Sequence, residues 1–367
     1  MLLVRKFENV NPLLSVIIIN YNSEKFFEIV RISIKAALEI PIPKEIIVID
    51  NGSTDSSRSL LINYIENVSE GDKFYCSALK LLLIGKNMGF QNAVNVAVRL
   101  LDSTSKYLMI INNDLVINSQ SIASLIRVLE RVPKIGLIQG KILRWDYTTI
   151  DSAGCIITEF GDWLKLGHEM PKSLFNFPLI VSYVHAACFI CRREVFSGFS
   201  PKFFVFGDDF ELGPRLYAQG YCCLYYPVNA GRHYGSATSI FNRDVAELTK
   251  LWSAIGTTAI LRLMNPTNLS WTVLGLIRVL LDLLYSTLTL NKTRTLGIIF
   301  GFSKGLRLRL YKYKILKHNA GRSIEVPRLK IPLKDLPSLL FQKRRQGYYL
   351  KYITNYIIDR RIHMKTI

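Results

Sequence analysis

The sequence predicts an α/β fold built on a mainly parallel sheet with helices packed against it, and three observations predict it. Short β-branched runs alternate with longer helical stretches through the amino-terminal half. Each run is almost continuously apolar, the pattern of a strand buried on both faces. Polar, turn-forming residues follow most of the runs directly, as they do at the carboxyl edge of an open parallel sheet, where ligands bind.

The runs in order are Ser15 to Ile19, Glu45 to Ile49, Leu79 to Ile84 and Tyr107 to Ile111. Three polar clusters follow: Asn20-Tyr21-Asn22, Asp50-Asn51-Gly52-Ser53 and Asn112-Asn113-Asp114. Clusters at the same end of neighbouring strands face one crevice. From about Pro133 to Pro227 the chain turns mixed, rich in aromatics and glycines, and reads as the second half of the same domain. A catalytic domain is therefore expected over 1–240, its halves near 13–130 and 131–240, followed by a basic, apolar helical region over 241–367.

Within that last region Leu248 to Leu263 and Ser270 to Leu290 are helical in pattern, and Gly297 to Ile315 adds basic residues to an apolar background. Trp271 to Leu290 is long enough to span a bilayer. Arg278 and Asp282 lie inside it, however, each costing roughly 2.5 to 3.5 kcal/mol at the centre of a spanning helix. An interfacial or core helix is the expectation, with one spanning helix in 271–290 as the alternative.

Composition narrows the class. The chain has 367 residues, enough to bury a sizeable core. Hydrophobic residues make up 49% and the mean hydropathy is +0.21, between a freely soluble enzyme and a bundle of spanning helices. Six cysteines lie scattered in apolar stretches, which predicts reduced, buried thiols, and Cys188-Phe-Ile-Cys191 lacks the further ligands that zinc needs. Met1 to Phe7 leads to Glu8 and Asn9 rather than to a long apolar run, so a cytoplasmic protein is expected.

Net charge is +19, and Asn291 to Ile367 supplies 19 Lys/Arg against 3 Asp/Glu, or +16 of it. Cations adjoining apolar helices suit an anionic membrane surface, at the inner face of the cell membrane. Nucleic acid is not the expected partner, because single-strand binders interleave cations with exposed aromatics along a groove.

The stretches SVIIINYN (Ser15 to Asn22) and EIIVIDNGSTD (Glu45 to Asp55) resemble family 2 glycosyltransferases, especially the rhamnosyltransferase-like branch. The resemblance implies a GT-A fold in which Asn20, Tyr21 and Asn22 approach a nucleotide and Asp50, with Asn51, holds its base. An ionised carboxylate at a strand end suits the imide or amine edge of a base. The same residues also read as a turn that caps the next helix through Ser53 or Asp55. In NMGFQNAVN, Gly89 permits close backbone approach at a helix start that favours a diphosphate, and the resemblance sets Asn95 against the site.

YLMIINND ends where the family carries its Asp-x-Asp metal motif. Here Asn112 replaces the first Asp as a metal-site residue, Asn113 is a donor-binding one, and Asp114 remains as the ionised ligand for Mn²⁺ or Mg²⁺ on a nucleotide-diphosphate sugar, UDP-, dTDP- or GDP-linked. The resemblance also implies a general base at Asp209, beside Asp208, and acceptor-side roles for Glu211 and Arg215. An inverting transfer needs such a carboxylate opposite the leaving phosphate to take the acceptor's proton. The acceptor implied is a glycan or a polyprenyl-linked one. In GRHYGS, His233 is a further metal or phosphate ligand. The Gln-x-x-Arg-Trp pattern of processive members is absent from the sequence, which argues against a polymerising synthase.

Overall fold

A computed structural model describes residues 1–68, 75–199, 207–242, 246–247, 250–251, 255, 269–303, 324–332 and 352–357. The parallel core follows the predicted runs. Strands β1 (Leu2–Lys6), β2 (Leu14–Asn20), β3 (Lys44–Asp50), β4 (Cys76–Leu83) and β5 (Tyr107–Asn112) alternate with α1 (Phe27–Leu38), α2 (Ser57–Asn67) and α3 (Phe90–Val98). Every residue of β2 and β3 is buried, as continuous apolar runs require of central strands. β2 pairs in parallel with β3 and β5, and β3 with β4. β1, which the pattern of apolar runs had not marked, adds antiparallel to the outer edge of β4.

The second half continues the same sheet. After β6 (Leu115–Ile117) and α4 (Ser119–Arg131) come β7 (Ile135–Arg144), β8 (Ile150–Ser152), β9 (Cys155–Thr158), β10 (Trp163–Lys165), β11 (Leu179–Val181) and β12 (Cys188–Arg192). In α4, Ile122, Leu125, Ile126 and Leu129 are buried at helical spacing, so one face packs inward and the other meets water. Helix α5 (Asp208–Ala218) leads into the long strand β13 (Cys222–His233), which is followed by the short α6 (Ala237–Phe241).

The main sheet runs β1-β4-β3-β2-β5-β12-β7-β13-β11, with β6 on β13 and β8 on β7. β12 is antiparallel to both β5 and β7, and thereby joins the two halves into one sheet. The halves also share one hydrophobic core. All six cysteines are buried and free, Cys188 and Cys191 on β12 among them.

Beyond 241 the described chain packs back onto the sheet domain. Helix α7 (Leu269–Leu288) is held by Arg278, which pairs with Asp282 at 2.6 Å and with Asp162 at 3.4 Å in the β9–β10 connection. A buried ion pair on the inward face agrees with a packed helix. No helix among the described residues is long and apolar enough to cross a membrane. Strand β14 (Arg328–Leu329) pairs with β9, and Tyr356 donates its hydroxyl to the Ile180 carbonyl at 2.7 Å. Tyr352, Ile353 and Tyr356 all join the main core. Most of Leu248 to Leu263, the latter part of Gly297 to Ile315 and the remaining basic residues beyond 332 lie outside the described residues.

Candidate active site

The parallel strands deliver their polar ends side by side. Register sets Asn20 opposite Asp50 and Ile19 opposite Asn112, so the three predicted clusters share one edge of the sheet. Asp50 is fully buried. Its Oδ1 accepts from Arg58 Nε at 3.1 Å and from the Ser53 N–H at 3.2 Å, while Oδ2 is buried without a partner. Asn20 accepts at Oδ1 from Asn113 Nδ2 at 2.9 Å, and its own Nδ2 is likewise buried and unpartnered. A buried polar group without a partner costs roughly 1 to 3 kcal/mol. One acceptor and one donor left open at neighbouring strand ends form a receptor for a ligand with complementary polar edges.

The loops around this edge are braced. Gly52 has φ +78° and lies so close to the Lys86 and Asn87 backbone that a Cβ would fall 2.3 Å from the Lys86 carbonyl carbon. Asn51 bridges to the same segment, donating to Asn87 Oδ1 at 3.0 Å and accepting the Met88 N–H at 3.1 Å. Gly89, at φ +80°, opens α3. Asn22 adopts φ 45°, and its N–H donates to Ser53 Oγ at 3.0 Å. Tyr21 is half-buried beside it. Ser53 and Asp55 thus tie the loop at Asn22 and Glu24 to the start of α2, since Asp55 also accepts the Ser57 N–H.

A second group forms around His233 at the end of β13. Asp114 Oδ1 accepts from His233 Nε2 at 3.1 Å, and its Oδ2 accepts the Ala237 N–H at 3.1 Å. Nδ1 of the same ring faces Asp151 Oδ2 at 2.9 Å. Asp151, on β8, also pairs with Lys165 Nζ at 2.9 Å and lies 3.3 Å from His168 Nδ1. Burial alone disfavours the charged forms here, but opposite charges overcome it. Asp114 is held below the usual carboxylate range by His233, and Asp151 well below it by His168, His233 and Lys165. Burial lowers His233 too, yet the two carboxylates hold it up at about 9.

His185 completes the group. Burial keeps its imidazole neutral, well below the usual histidine range, and Lys165 adds to the effect. Its Nδ1 is buried without a hydrogen-bond partner, 3.8 Å from Asp151 Oδ2. Asp151, His185 and His233 bring ligand atoms within 4.8 Å of one another. Carboxylate oxygens and imidazole nitrogens suit Mn²⁺, and oxygen ligands suit Mg²⁺. Asp114 Oδ1 and His233 Nε2, 3.1 Å apart, would both offer ligand atoms to such an ion. The donor set therefore fits a divalent cation. On the Asp151 side the Lys165 ammonium already supplies a positive charge, so the Asp114–His233 edge is the better seat.

Asp209, in the first turn of α5, meets the residue after His185. Its Oδ2 accepts the Ala186 N–H at 3.2 Å and its Oδ1 the Phe210 N–H at 2.8 Å. Burial raises its pKa, against the pull of these amides and of Lys165. The Asp208 side chain and residues 200–206 lie outside the described residues.

The model of glycosyl transferase family 2 matches residues 15–199, half of the chain, including the strand ends at Asn20, Asp50 and Asn112. The chain belongs to this family. It is a glycosyltransferase built on an α/β architecture. A Mycobacterium tuberculosis N-acetylglucosaminyl-diphospho-decaprenol L-rhamnosyltransferase is 24% identical over 245 residues, 60% of this chain and 76% of that one. The O-antigen biosynthesis protein RfbC of Myxococcus xanthus is 32% identical over 132 residues, 32% of this chain and 10% of that one. Among solved structures, the mannosyltransferase PcManGT from Pyrobaculum calidifontis with GDP-Man and Mn²⁺ has a TM-score of 0.49 at 14% identity, covering 82% of this chain and 89% of that chain. TarS 1-349 of S. aureus with UDP-GlcNAc has a TM-score of 0.45 at 14% identity, covering 86% and 93%.

Other residues that the sequence singled out take bracing positions in this glycosyltransferase. Asn95 accepts the Phe199 N–H at 2.8 Å and donates to the Phe199 carbonyl at 2.9 Å, so its amide holds the loop after β12. Gly198 in that loop has φ +91°, and a Cβ there would meet Asn95 Oδ1 at 2.7 Å. Arg215 pairs with Glu211 at 3.2 Å and donates to Ser197 Oγ and the Gly198 carbonyl. Glu211 and Arg215 therefore fix the loop beneath α5. Asp151 and Lys165 escaped the sequence reading. His168 and His185 lay in a segment with no pattern to connect them, because their partner in space, His233, is far along the chain.

Proposed function

We propose that this glycosyltransferase is an inverting enzyme that moves a sugar, rhamnose by analogy with its relatives, from a nucleotide-diphosphate sugar to a polyprenyl-linked acceptor in cell-surface polysaccharide assembly. The observation that carries the reading is the shared edge of the sheet. There the open Asp50 Oδ2 and Asn20 Nδ2 receive the nucleotide, Asp114 and His233 stand next along, and Asp209 meets the residue after His185. Asp114 and His233 would hold Mn²⁺ or Mg²⁺, which when bound neutralises the charge of the diphosphate leaving group. Asp209, its pKa raised by burial, takes the proton of the acceptor hydroxyl. The donor-side braces at Asn51, Gly52 and Gly89 hold the nucleotide loops in place.

The acceptor class is supported by the M. tuberculosis relative, whose name gives a diphospho-decaprenol substrate. It is also supported by the outward face of the carboxyl-terminal helices. Leu280, Leu284 and Leu288 on α7 are 63%, 58% and 73% exposed, and Leu296, Ile299 and Phe300 continue the apolar face on the helical segment 292–303. Lys292 is exposed between the two stretches, and Arg294, half-buried, pairs there with Asp282 at 3.4 Å. An apolar face edged by cations suits the interface of an anionic bilayer, on which the protein would lie.

Incubation with UDP-, dTDP- and GDP-sugars and a polyprenyl-diphosphate N-acetylglucosamine acceptor tests the proposal. A lipid-extractable product heavier by one sugar residue, a deoxyhexose if rhamnose is transferred, is expected. Transfer only to a water-soluble glycan would sink the lipid-linked acceptor.

A further inference from the structure

His233 is gripped from both sides, and the two grips differ in kind. On the Nε2 side stands Asp114, at the strand-end edge assigned above to the nucleotide. On the Nδ1 side stands Asp151, on β8, reached across 82 residues of chain. The Asp151 carboxylate has little freedom to turn. Its Oδ1 is fixed by Lys165 at 2.9 Å and faces His168 at 3.3 Å, which leaves Oδ2 for His233. His233 is 6% exposed, so water offers the ring no alternative partner.

A carboxylate accepts hydrogen bonds and donates none. The nitrogen facing Asp151 must therefore carry a proton, as must the one facing Asp114 while no cation is bound; on metal binding Nε2 gives its proton up, and Nδ1 keeps its own on Asp151. Ligating histidines are commonly held in this way, with the second ring nitrogen on a carboxylate that fixes both tautomer and orientation. Asn112, meanwhile, ends β5 beside this group with an uncharged amide.

We propose that Asp151 is a positioning residue of the metal centre: by accepting from Nδ1 of His233 it aims Nε2 at the cation held with Asp114, and so supplies from β8 the acidic support that Asn112 does not. Lys165 locks Asp151 for this task and leaves the ion itself to the Asp114 side. The inference rests on the metal reading given under Proposed function.

Mn²⁺ binding followed by electron paramagnetic resonance, without donor, tests it in the full-length chain and in Asp151→Asn, His233→Gln and the double variant. Asp151→Asn should weaken Mn²⁺ binding about 10- to 100-fold. The double variant should bind no more weakly than His233→Gln alone, because Asp151 acts through that ring. A loss that adds to that of His233→Gln, or an unchanged affinity in Asp151→Asn, overturns the proposal. Nitrogen-15 spectra of the wild type with Zn²⁺ as a diamagnetic probe give an answer even where the variant fails to fold. The His233 proton should stay on Nδ1, and a proton on Nε2 would contradict the assignment. Wild-type protein that binds no Mn²⁺ removes the metal reading and this role together, whereas binding that is indifferent to Asp151 removes only the role.

Discussion

The Ala186 N–H donates to Asp209 Oδ2 at 3.2 Å, which ties the candidate base to the residue that directly follows His185. One short loop thus links the cation end of the site to the carboxylate that would deprotonate the acceptor. Asp209→Asn keeps the shape and removes the base. Transfer should fall by about 10²- to 10⁴-fold with nucleotide affinity unchanged, as read by steady-state kinetics and calorimetry. Because burial raises the Asp209 pKa, the acid limb of kcat/KM should lie above the ordinary aspartate range.

Asp50 should govern nucleotide affinity. Its Oδ2 waits without a partner in a buried position, so a base that donates to it gains a hydrogen bond that no protein group supplies. Asp50→Ala should weaken binding of the free nucleotide by about 1 to 3 kcal/mol, roughly 5- to 150-fold, in calorimetric titrations.

His233 sets a pH window for the metal-free protein. Its folded pKa of about 9 lies above the value of about 6.5 expected for an unfolded chain. The raised value stabilises the fold fully below about pH 6.5, and that contribution is lost as pH rises through 9. Urea unfolding in chelator should show stability falling between these limits by up to about 1.4 kcal/mol per pH unit. His233→Gln should flatten that slope.

Membrane attachment should depend on the outer face of α7 and not on the fold beneath it. Leu280→Asp with Leu284→Asp alters two exposed positions, so thermal unfolding should barely move while co-sedimentation with anionic liposomes is lost. Unchanged sedimentation would contradict the assignment of this face. Truncation near 241 is the poorer test, since it also removes β14, Tyr352, Ile353 and Tyr356 from the core.

Much of this was legible in the sequence because it is local. Four strands announced themselves as continuous apolar runs, and Asn20, Asp50 and Asn112, each at the carboxyl end of its own run, become neighbours in the sheet. What escaped is long-range. The Asp151–His233 contact joins a three-residue strand to the end of β13, and no periodicity in a single sequence reports such a pairing. Asn95 and Arg215 were read as facing ligands. Their amide and guanidinium groups hold the loop at Ser197 to Phe199, a contact fixed by register and loop path that residue type alone does not report.

Release of nucleotide from sugar-nucleotide donors is the most direct measurement. Purified protein is incubated with UDP-, dTDP- and GDP-sugars in Mn²⁺, Mg²⁺ or chelator, alongside Asp209→Asn. Metal-dependent release from one donor, abolished in the variant, is the expected result and would identify the sugar. Release from none of the donors, or release indifferent to both chelator and Asp209, would contradict the assignment of the strand-end site to metal-assisted glycosyl transfer.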